Sequence, residues 1–478
     1  MSDSVQIRAV KGVVWNIVDK IGAQFIQLVF GIILARLLMP EDFGLIGIVT
    51  VVYLISRTFV ESGLSTAYIQ KKEVNDADAN TVFYTNLLIS IVFYGIIFFA
   101  SPLIAKFYEK PILVNLTRVM ALVLLINAFN IIQIAQLTRN IDFKRNTIIH
   151  LSAIFSSGII GITTAYYGMG VWALVIQNIS NRAITSIGLW MTSKWKPAFQ
   201  FSIESFKEMF SFGSWILFSS IIRVVFDNIY ILVIGKVFSI GQLGFYTKAK
   251  NYQKISSQEL TRAVSLVAFP IFSSIQDNKE KLRNTMKNFL QQTYLILTIM
   301  LVLIIVVAKP FVIVLLTEKW APMIPYLQLL CISGLLFPLH QVNVQVLLAQ
   351  GKSKLNFNLS LIKNLLRILN IIIMYRFGII HIIFGEIILS FIALYINTWF
   401  TKKYINYGLY QQVKDISMII IIGVLAGLLS CSLHLLTSNL LVLLFTISAL
   451  AISSYTALMY FLNRNLLLKS INSLKLRK

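Results

Sequence analysis

Apolar stretches of about 20 residues recur from one end of this 478-residue chain to the other, separated only by short polar segments. A helix of about 20 residues covers the roughly 30 Å of hydrocarbon in a bilayer, so each stretch is long enough to cross a membrane. No window is left for a soluble domain. Fourteen spans are expected, over 13–34, 43–62, 81–104, 113–136, 147–167, 170–191, 210–234, 243–273, 288–316, 321–349, 356–376, 379–401, 413–436 and 440–462. The eighth is rich in Lys and Ser. The first run is too long for the apolar core of a cleavable signal and leads into Arg36, so it is expected to remain as a membrane helix.

Charge supports this class. Only 13% of the residues are charged, against about 25% in soluble domains. The formal net charge is nevertheless +23. In a soluble protein that excess would suggest nucleic acid, but here the basic residues gather in loops beside apolar spans, as topogenic charges do, and no nucleic-acid partner is expected. Lys71 and Lys72, Arg139 with Lys144 and Arg145, Lys194 with Lys196, Lys279 to Lys287, Lys402 with Lys403, and the tail from Arg464 fall on one side. By the positive-inside rule that side is the cytoplasm, which places both termini there.

The decapeptide "ARLLMPEDFG" from Ala35 is then a non-cytoplasmic elbow between the first two spans, with Pro40 stopping the helix and Gly44 permitting tight re-entry. A related stretch, "GKVFSIGQLG", starts at Gly235. A shift of 200 lays Trp15 on Trp215, Arg36 on Lys236 and Gly44 on Gly244 without a gap. At slightly larger shifts "SPL" at Ser101 answers "KPF" at Lys309, and "YYGMG" at Tyr166 answers "RFGII" at Arg376. The kept order favours an internal duplication. The fold expected is an all-α integral membrane protein: a six-helix lobe over 1–200, a second over 201–403 related to it by a pseudo-twofold axis along the membrane normal, and two further helices with a basic cytoplasmic tail over 404–478. Halves so related can rock about a central site and expose it to one side at a time, so a transporter is the natural class.

Ionisable residues inside the spans are costly in lipid and should face the protein interior or a watery cavity. Asn356, Ser360, Lys363, Arg367 and Asn370 step by four and three, which lines them along one helical face. Lys248, Tyr252, Glu259 and Arg262 fall near another, with Lys250 and Lys254 beside it. With Arg223, these cations make a candidate anion-binding cavity: Arg223, Lys248, Lys250, Lys254, Arg262, Lys363 and Arg367. A diphosphate or an acidic sugar fits such a wall, because Arg and Lys replace the hydration its charge loses. Asp19, Glu61, Asp227, Glu259 and Glu386 are the acids at depth, each either a coupling-ion ligand or half of an internal ion pair. Arg57 with Glu61 and Arg223 with Asp227 have the i, i+4 spacing of such pairs. Lys20, Arg118 and Arg182 can snorkel towards an interface.

Cys331 and Cys431 lie singly in apolar runs, and His150, His340, His381 and His434 lack ligand or triad spacing, so no metal site is expected. There is no phosphate-binding glycine loop, nucleophile elbow or HExxH pair, so neither an enzyme nor a bound cofactor is expected.

Several stretches together carry a family likeness: "GVVW" at Gly12, "ILARLLMPEDFGLIGIV" at Ile33, "FVESGLSTAYIQKKEV" at Phe59, "LTRNIDFKR" at Leu137, "YGMGVWALV" at Tyr167, "QLGFYTKAKNYQKI" at Gln242, "VAFPIFSSIQDNKEKLR" at Val267 and "LLAQGKSKLNFN" at Leu347. Over about residues 10 to 400 the chain resembles the Wzx-type flippases, the polysaccharide-transport branch of the multidrug/oligosaccharidyl-lipid/polysaccharide exporter superfamily, and most of all its colanic-acid-exporter-like subgroup. The resemblance implies fourteen helices, a bacterial inner membrane, and movement of an undecaprenyl-diphosphate-linked oligosaccharide of a capsule, exopolysaccharide or O-antigen to the periplasmic leaflet. The implied partners are that lipid-linked oligosaccharide, the bilayer and a polysaccharide polymerase. No short signature of the family assigns a role to any single residue.

Three other readings stand beside it. A cation-coupled drug antiporter of the same superfamily fits poorly with Lys and Arg at depth. A membrane-embedded glycosyltransferase or polymerase would need a large outward loop, which the sequence lacks. A flippase for a lipid-linked cell-wall precursor shares the diphosphate-polyprenol handle.

Overall fold

The computed structural model describes residues 3–61, 63–435, 439–464 and 466. The basic tail beyond these, and part of the turn at 436–440, lie outside the described residues. The helices are α1 Asp3–Leu37, α2 Pro40–Glu61, α3 Leu64–Gln70, α4 Asp76–Tyr108, α5 Leu113–Ala128, α6 Ile131–Arg139, α7 Phe143–Tyr166, α8 Val171–Thr192, α9 Ile203–Val237, α10 Ile240–Gln253, α11 Leu260–Ser274, α12 Lys279–Phe311, α13 Ile324–Ala349, α14 Ser353–Met374, α15 Ile379–Ile405, α16 Leu409–Cys431 and α17 Leu440–Leu462. This is an all-α integral membrane protein. Among the described residues eleven helices are long and apolar enough to cross a membrane, or twelve if the pair α5 and α6, bent by 44°, makes one span. Two more of the expected spans are helical but more polar. α8 carries Gln177, Asn178, Asn181 and Arg182, and α10 and α11, with the turn between them, carry Lys248, Lys250, Lys254 and Arg262.

The chain folds as two compact units, Met1–Gly244 and Phe245–Lys478. Its halves also repeat one another in backbone conformation. α1 and α9 are each 35 residues long and start 200 residues apart. α4 and α12 are each 33 residues long and carry a proline near the end, Pro102 and Pro310. Glu109 and Thr317 take positive φ, 56° and 83°, and so do Gly170 and Gly378, 54° and 102°, each pair 208 residues apart. A left-handed turn is unfavourable for side chains such as Glu and Thr, so its return at matching places reflects a shared chain path.

In the first unit the elbow has a different logic from the one its sequence suggests. Pro40 opens α2, where a missing N–H costs nothing, and Asp42 Oδ2 accepts from Met39 N at 2.9 Å. Gly44 is helical and serves close packing rather than re-entry. A Cβ on Gly44 would run into the carbonyl oxygen of Ile240, and one on Gly244 into that of Pro40. Residues 40 and 240, and 44 and 244, are equivalents in the repeat, so this contact is reciprocal.

Arg118 also has a structural explanation. Pro102 has no N–H to give the carbonyl of Phe98 one turn earlier. Ser101 Oγ donates to that oxygen at 2.8 Å and Arg118 Nε at 3.2 Å. The same Nε lies 2.9 Å from Ser101 Oγ, and the guanidinium sits 3.9 Å from the centroid of the Phe98 ring. The helix break creates the acceptor, and a cation from the neighbouring helix fills it.

At the end of α4 the exposed carboxylate of Glu109 accepts from Lys236 Nζ at 2.7 Å, and this hydrogen bond with its charge holds Glu109 below the usual carboxylate range. A depressed pKa adds stability above the unfolded value and loses it as pH falls through the folded one. Comparing the melting temperature of the parent with that of Lys236→Gln should therefore give a small gap at pH 7 that closes on acidification. A gap that widened below about pH 5 would contradict the pairing.

The second unit is built on α12, packed by α11, α13, α16 and α17. Met286, Leu290, Tyr294, Val342, Val346, Ile419 and Met459 form its dry core. The two C-terminal helices belong fully to it: Gly423 lies against Thr298, Gly427 against Val302, and Tyr455 OH donates to the carbonyl of Leu295 at 2.8 Å. A buried polar knot completes the attachment. Asn343 Nδ2 donates to Gln412 Oε1 at 2.8 Å, Gln412 Nε2 donates to Asn343 Oδ1 and to the carbonyl of Tyr407, both at 3.0 Å, and Thr401 Oγ1 donates to Asn343 Oδ1 at 2.5 Å. Tyr407 OH donates to Asp415 Oδ2 at 2.8 Å, while Lys287 Nζ reaches Asp415 Oδ1 at 2.6 Å. Gln412→Leu should cost about 1–3 kcal/mol for each buried group it orphans. The pair Asn343→Leu with Gln412→Leu should recover part of that in a thermal melt, and no loss in the single variant would count against the knot.

Candidate functional site

The polar face expected on α14 exists, and its two ends do different work. Asn370 is buried and structural: its Nδ2 donates to the carbonyl of Ile382 at 3.1 Å, and Gly385 on α15 gives its Oδ1 the room that a side chain would take. Ser360 turns back on the carbonyl of Asn356 at 2.9 Å. Between them Lys363 and Arg367 are half-buried, and Arg367 Nη1 lies 3.4 Å from Asn364 Oδ1.

His340 on α13 lies close enough to Lys363 and Arg367 for both charges to act on it. Its Nε2 is 2.9 Å from Ser390 Oγ and its Nδ1 is 3.3 Å from Asn397 Nδ2, both on α15. With the amide assigned so that it donates to Nδ1, the imidazole holds its proton on Nε2 and donates it to Ser390. Glu386, one turn before Ser390, keeps a buried Oε2 without a hydrogen-bond partner among the described residues, and so does Asn397 Oδ1. Three helices thus bring two cations, a bonded imidazole and two open acceptors into one region. The histidine was passed over in the sequence because its partners lie 50 and 57 residues away. The detectable signal was the polar spacing Glu386, Ser390 and Asn397 on one face of an apolar helix.

The second group of cations is on α10. Lys248 is buried, with Nζ 5.7 Å from the centroid of the Tyr252 ring and 5.9 Å from that of Trp320. Lys250 Nζ is 5.5 Å from the Tyr246 ring. Aromatic faces carry the negative end of a quadrupole and suit such ammonium groups. Beyond them the helix widens into a π-helical segment, Lys254–Glu259. The wider turn rotates α11 about the helix axis relative to α10, so the single face expected over Lys248, Tyr252, Glu259 and Arg262 is interrupted. Lys254 is exposed, and Glu259 Oε1 takes Arg262 Nη1 at 3.2 Å.

The remaining positions lie in the first unit. Arg223 is exposed on α9 and lies 3.3 Å from Ser220 Oγ, with Asp227 exposed one turn on. Arg57 and Glu61 pair at 2.7 Å within α2. Asp19 on α1 meets His150 Nδ1 on α7 at 2.8 Å, a contact across 131 residues that no local spacing reveals. Among the described residues no group of three or more His, Cys, Asp or Glu side chains is placed to hold a metal ion.

Comparison with known proteins agrees with this architecture. The lipopolysaccharide biosynthesis protein WzxC of Escherichia coli K12 is 26% identical over 372 residues, 77% of this chain and 76% of that protein. The succinoglycan biosynthesis transport protein ExoT of Rhizobium meliloti is 26% identical over 341 residues, 71% of this chain and 69% of that one. Among solved structures, the lipid II flippase MurJ in an inward closed conformation superposes with a TM-score of 0.73 at 16% identity, covering 96% of this chain and 100% of its own, a likeness of fold. Residues 33–325, most of the chain, match one family along their whole length, and the protein belongs to that family, described as polysaccharide biosynthesis protein.

Proposed function

We propose that this chain is a flippase of a bacterial inner membrane that moves oligosaccharide repeat units linked to undecaprenyl diphosphate from the cytoplasmic to the periplasmic leaflet by alternating access. The observation that supports the reading is the pair Lys363 and Arg367, half-buried on α14 of an integral membrane fold, with His340 and two buried, unpartnered acceptors on the neighbouring helices. Cations held there replace water around a diphosphate or an acidic sugar, and open acceptors suit sugar hydroxyls. Lys248, Lys250, Lys254 and Arg262, in the same unit, are assigned as further cargo-binding cations, and so is Arg223 within the first unit. Family membership and a relative named as a succinoglycan transport protein support the cargo class.

The step is a movement and not a bond-making reaction, so the protein is not read as an enzyme. Among the acids, Asp19, Glu61 and Glu259 each have a basic partner, whereas Glu386 has an open oxygen. Glu386 is therefore the first choice for a coupling proton or cation. Both termini are assigned to the cytoplasm, and a polymerase that takes up the delivered repeat unit is the assigned partner.

Purified protein in liposomes, supplied with a polyprenyl-diphosphate oligosaccharide and with or without a proton or sodium gradient, tests the reading. Protein-dependent movement between leaflets is expected. Movement of a lipid-linked cell-wall precursor alone would shift the assignment to that cargo, and export of organic cations alone would make the protein an antiporter.

A further inference from the structure

The segment 193–202 between α8 and α9 is neither helix nor strand, extended at Ser193 and Ser202 and bent at Phe199, and side chains of α4 hold it. Asn80 Oδ1 accepts from Ala198 N at 3.0 Å and Thr81 Oγ1 from Ser202 N at 2.9 Å. The Trp195 ring packs edge-on against Phe83 at 5.5 Å, and Tyr84 stacks on Phe199 at 5.9 Å with the rings 16° from parallel. Pinned in this way, Phe199 is fully exposed, at 100%, and Phe201 and Ile203 are more than half exposed. Lys194 and Lys196, just before them in the chain, are exposed, and the next acid in the sequence is Glu204. Arg145 Nη1, at the same end of the unit, donates to the carbonyl of Thr192 at 3.0 Å.

Position in the bilayer can be read from length. α7, Phe143–Tyr166, is long and apolar enough to cross the hydrocarbon core, and Arg145 near its start bonds the last residue of α8, so the segment leaves the core at the membrane boundary. Rings such as Trp195 and Tyr84 settle at headgroup level, phenyl groups enter the acyl layer, and lysines at the surface are drawn to anionic lipid. A water-filled vestibule would leave two phenylalanines and an isoleucine in water.

We propose that 193–203 is a lipid-binding strap: Phe199 and Phe201 enter the leaflet at this end, and Lys194 and Lys196 hold the phosphates of anionic phospholipid headgroups. This goes beyond the transport reading and does not depend on the cargo.

The test uses the full chain with Cys331→Ala, Cys431→Ala and Phe199→Cys, labelled with a polarity-sensitive fluorophore in nanodiscs of phosphatidylcholine alone or mixed equally with phosphatidylglycerol. Blue-shifted emission protected from aqueous iodide is expected in the anionic discs. The preference for them should fall by about fivefold for each lysine removed in Lys194→Gln and Lys196→Gln, and it should weaken in high salt. Emission matching the same label at Lys72→Cys in both discs would overturn the strap, as would protection indifferent to the lysines and to salt. A shift reproduced by inorganic phosphate in phosphatidylcholine discs would mean a free-phosphate site and not a lipid one. Hydrogen exchange of 193–203 in the unaltered chain gives a second reading: slower exchange in the anionic discs supports the strap, and equal exchange overturns it.

Discussion

Replacing Lys363 and Arg367 together with glutamine should abolish movement of a polyprenyl-diphosphate oligosaccharide while leaving the protein folded in the membrane. Hydrogen bonds to charged groups contribute about 1.5–3 kcal/mol each, so losing two should slow transport by roughly a hundredfold or more. Glutamine keeps the polarity of the side chains and much of their length, and neither residue belongs to the buried knot or to the glycine contact. The melting temperature should therefore change little. Lys363→Arg with native Arg367 should retain much of the activity, since the positive charge remains. Normal transport in the double glutamine variant, with the protein verified in the membrane, would falsify the cationic-path mechanism.

Gly44→Ala and Gly244→Ala should each destabilise the first unit severely. The added methyl would overlap a carbonyl oxygen, of Ile240 in one case and Pro40 in the other, and a helical main chain cannot swing aside as a lysine tip can. Overpacking typically costs about 1–3 kcal/mol, and backbone overlap puts these two at or above the top of that range. Gly95→Ala on α4 is the control, because nothing stands within 4 Å of its new methyl. Yield and melting temperature in detergent read the outcome. Equal behaviour of all three variants would mean that the reciprocal contact does not hold the helices together.

Composition and periodicity were enough to reach the class, because membrane spans are long and the bilayer punishes exceptions. Most of the expected helices appear close to their predicted limits, and α17 spans the same residues, Leu440–Leu462, as the predicted run. What escaped depends on contacts between distant parts of the chain. α3, the bend between α5 and α6 and the π-helical segment 254–259 leave no mark in hydropathy, since they alter the path of the backbone and not its polarity. Arg118 looked like a snorkelling side chain, and its partner is a carbonyl released by a proline on another helix. The stripe that holds Lys363 and Arg367 was visible, but the imidazole beside them was not. A stripe is written along one helix, whereas His340 needs Ser390 and Asn397 on a second helix before it has meaning.

As the opening helix of the second repeat, α9 matches α1, yet it packs against α2, α3 and α4 in the first unit. The expected repeat, opening at α9, and the folded unit that contains α9 are therefore out of step by one helix. A gene cut in the 193–202 segment would yield an N-terminal fragment lacking the helix that finishes it, and a C-terminal fragment exposing a face of α9 made for someone else. Such halves should be insoluble or degraded when made singly and should rescue each other when made together.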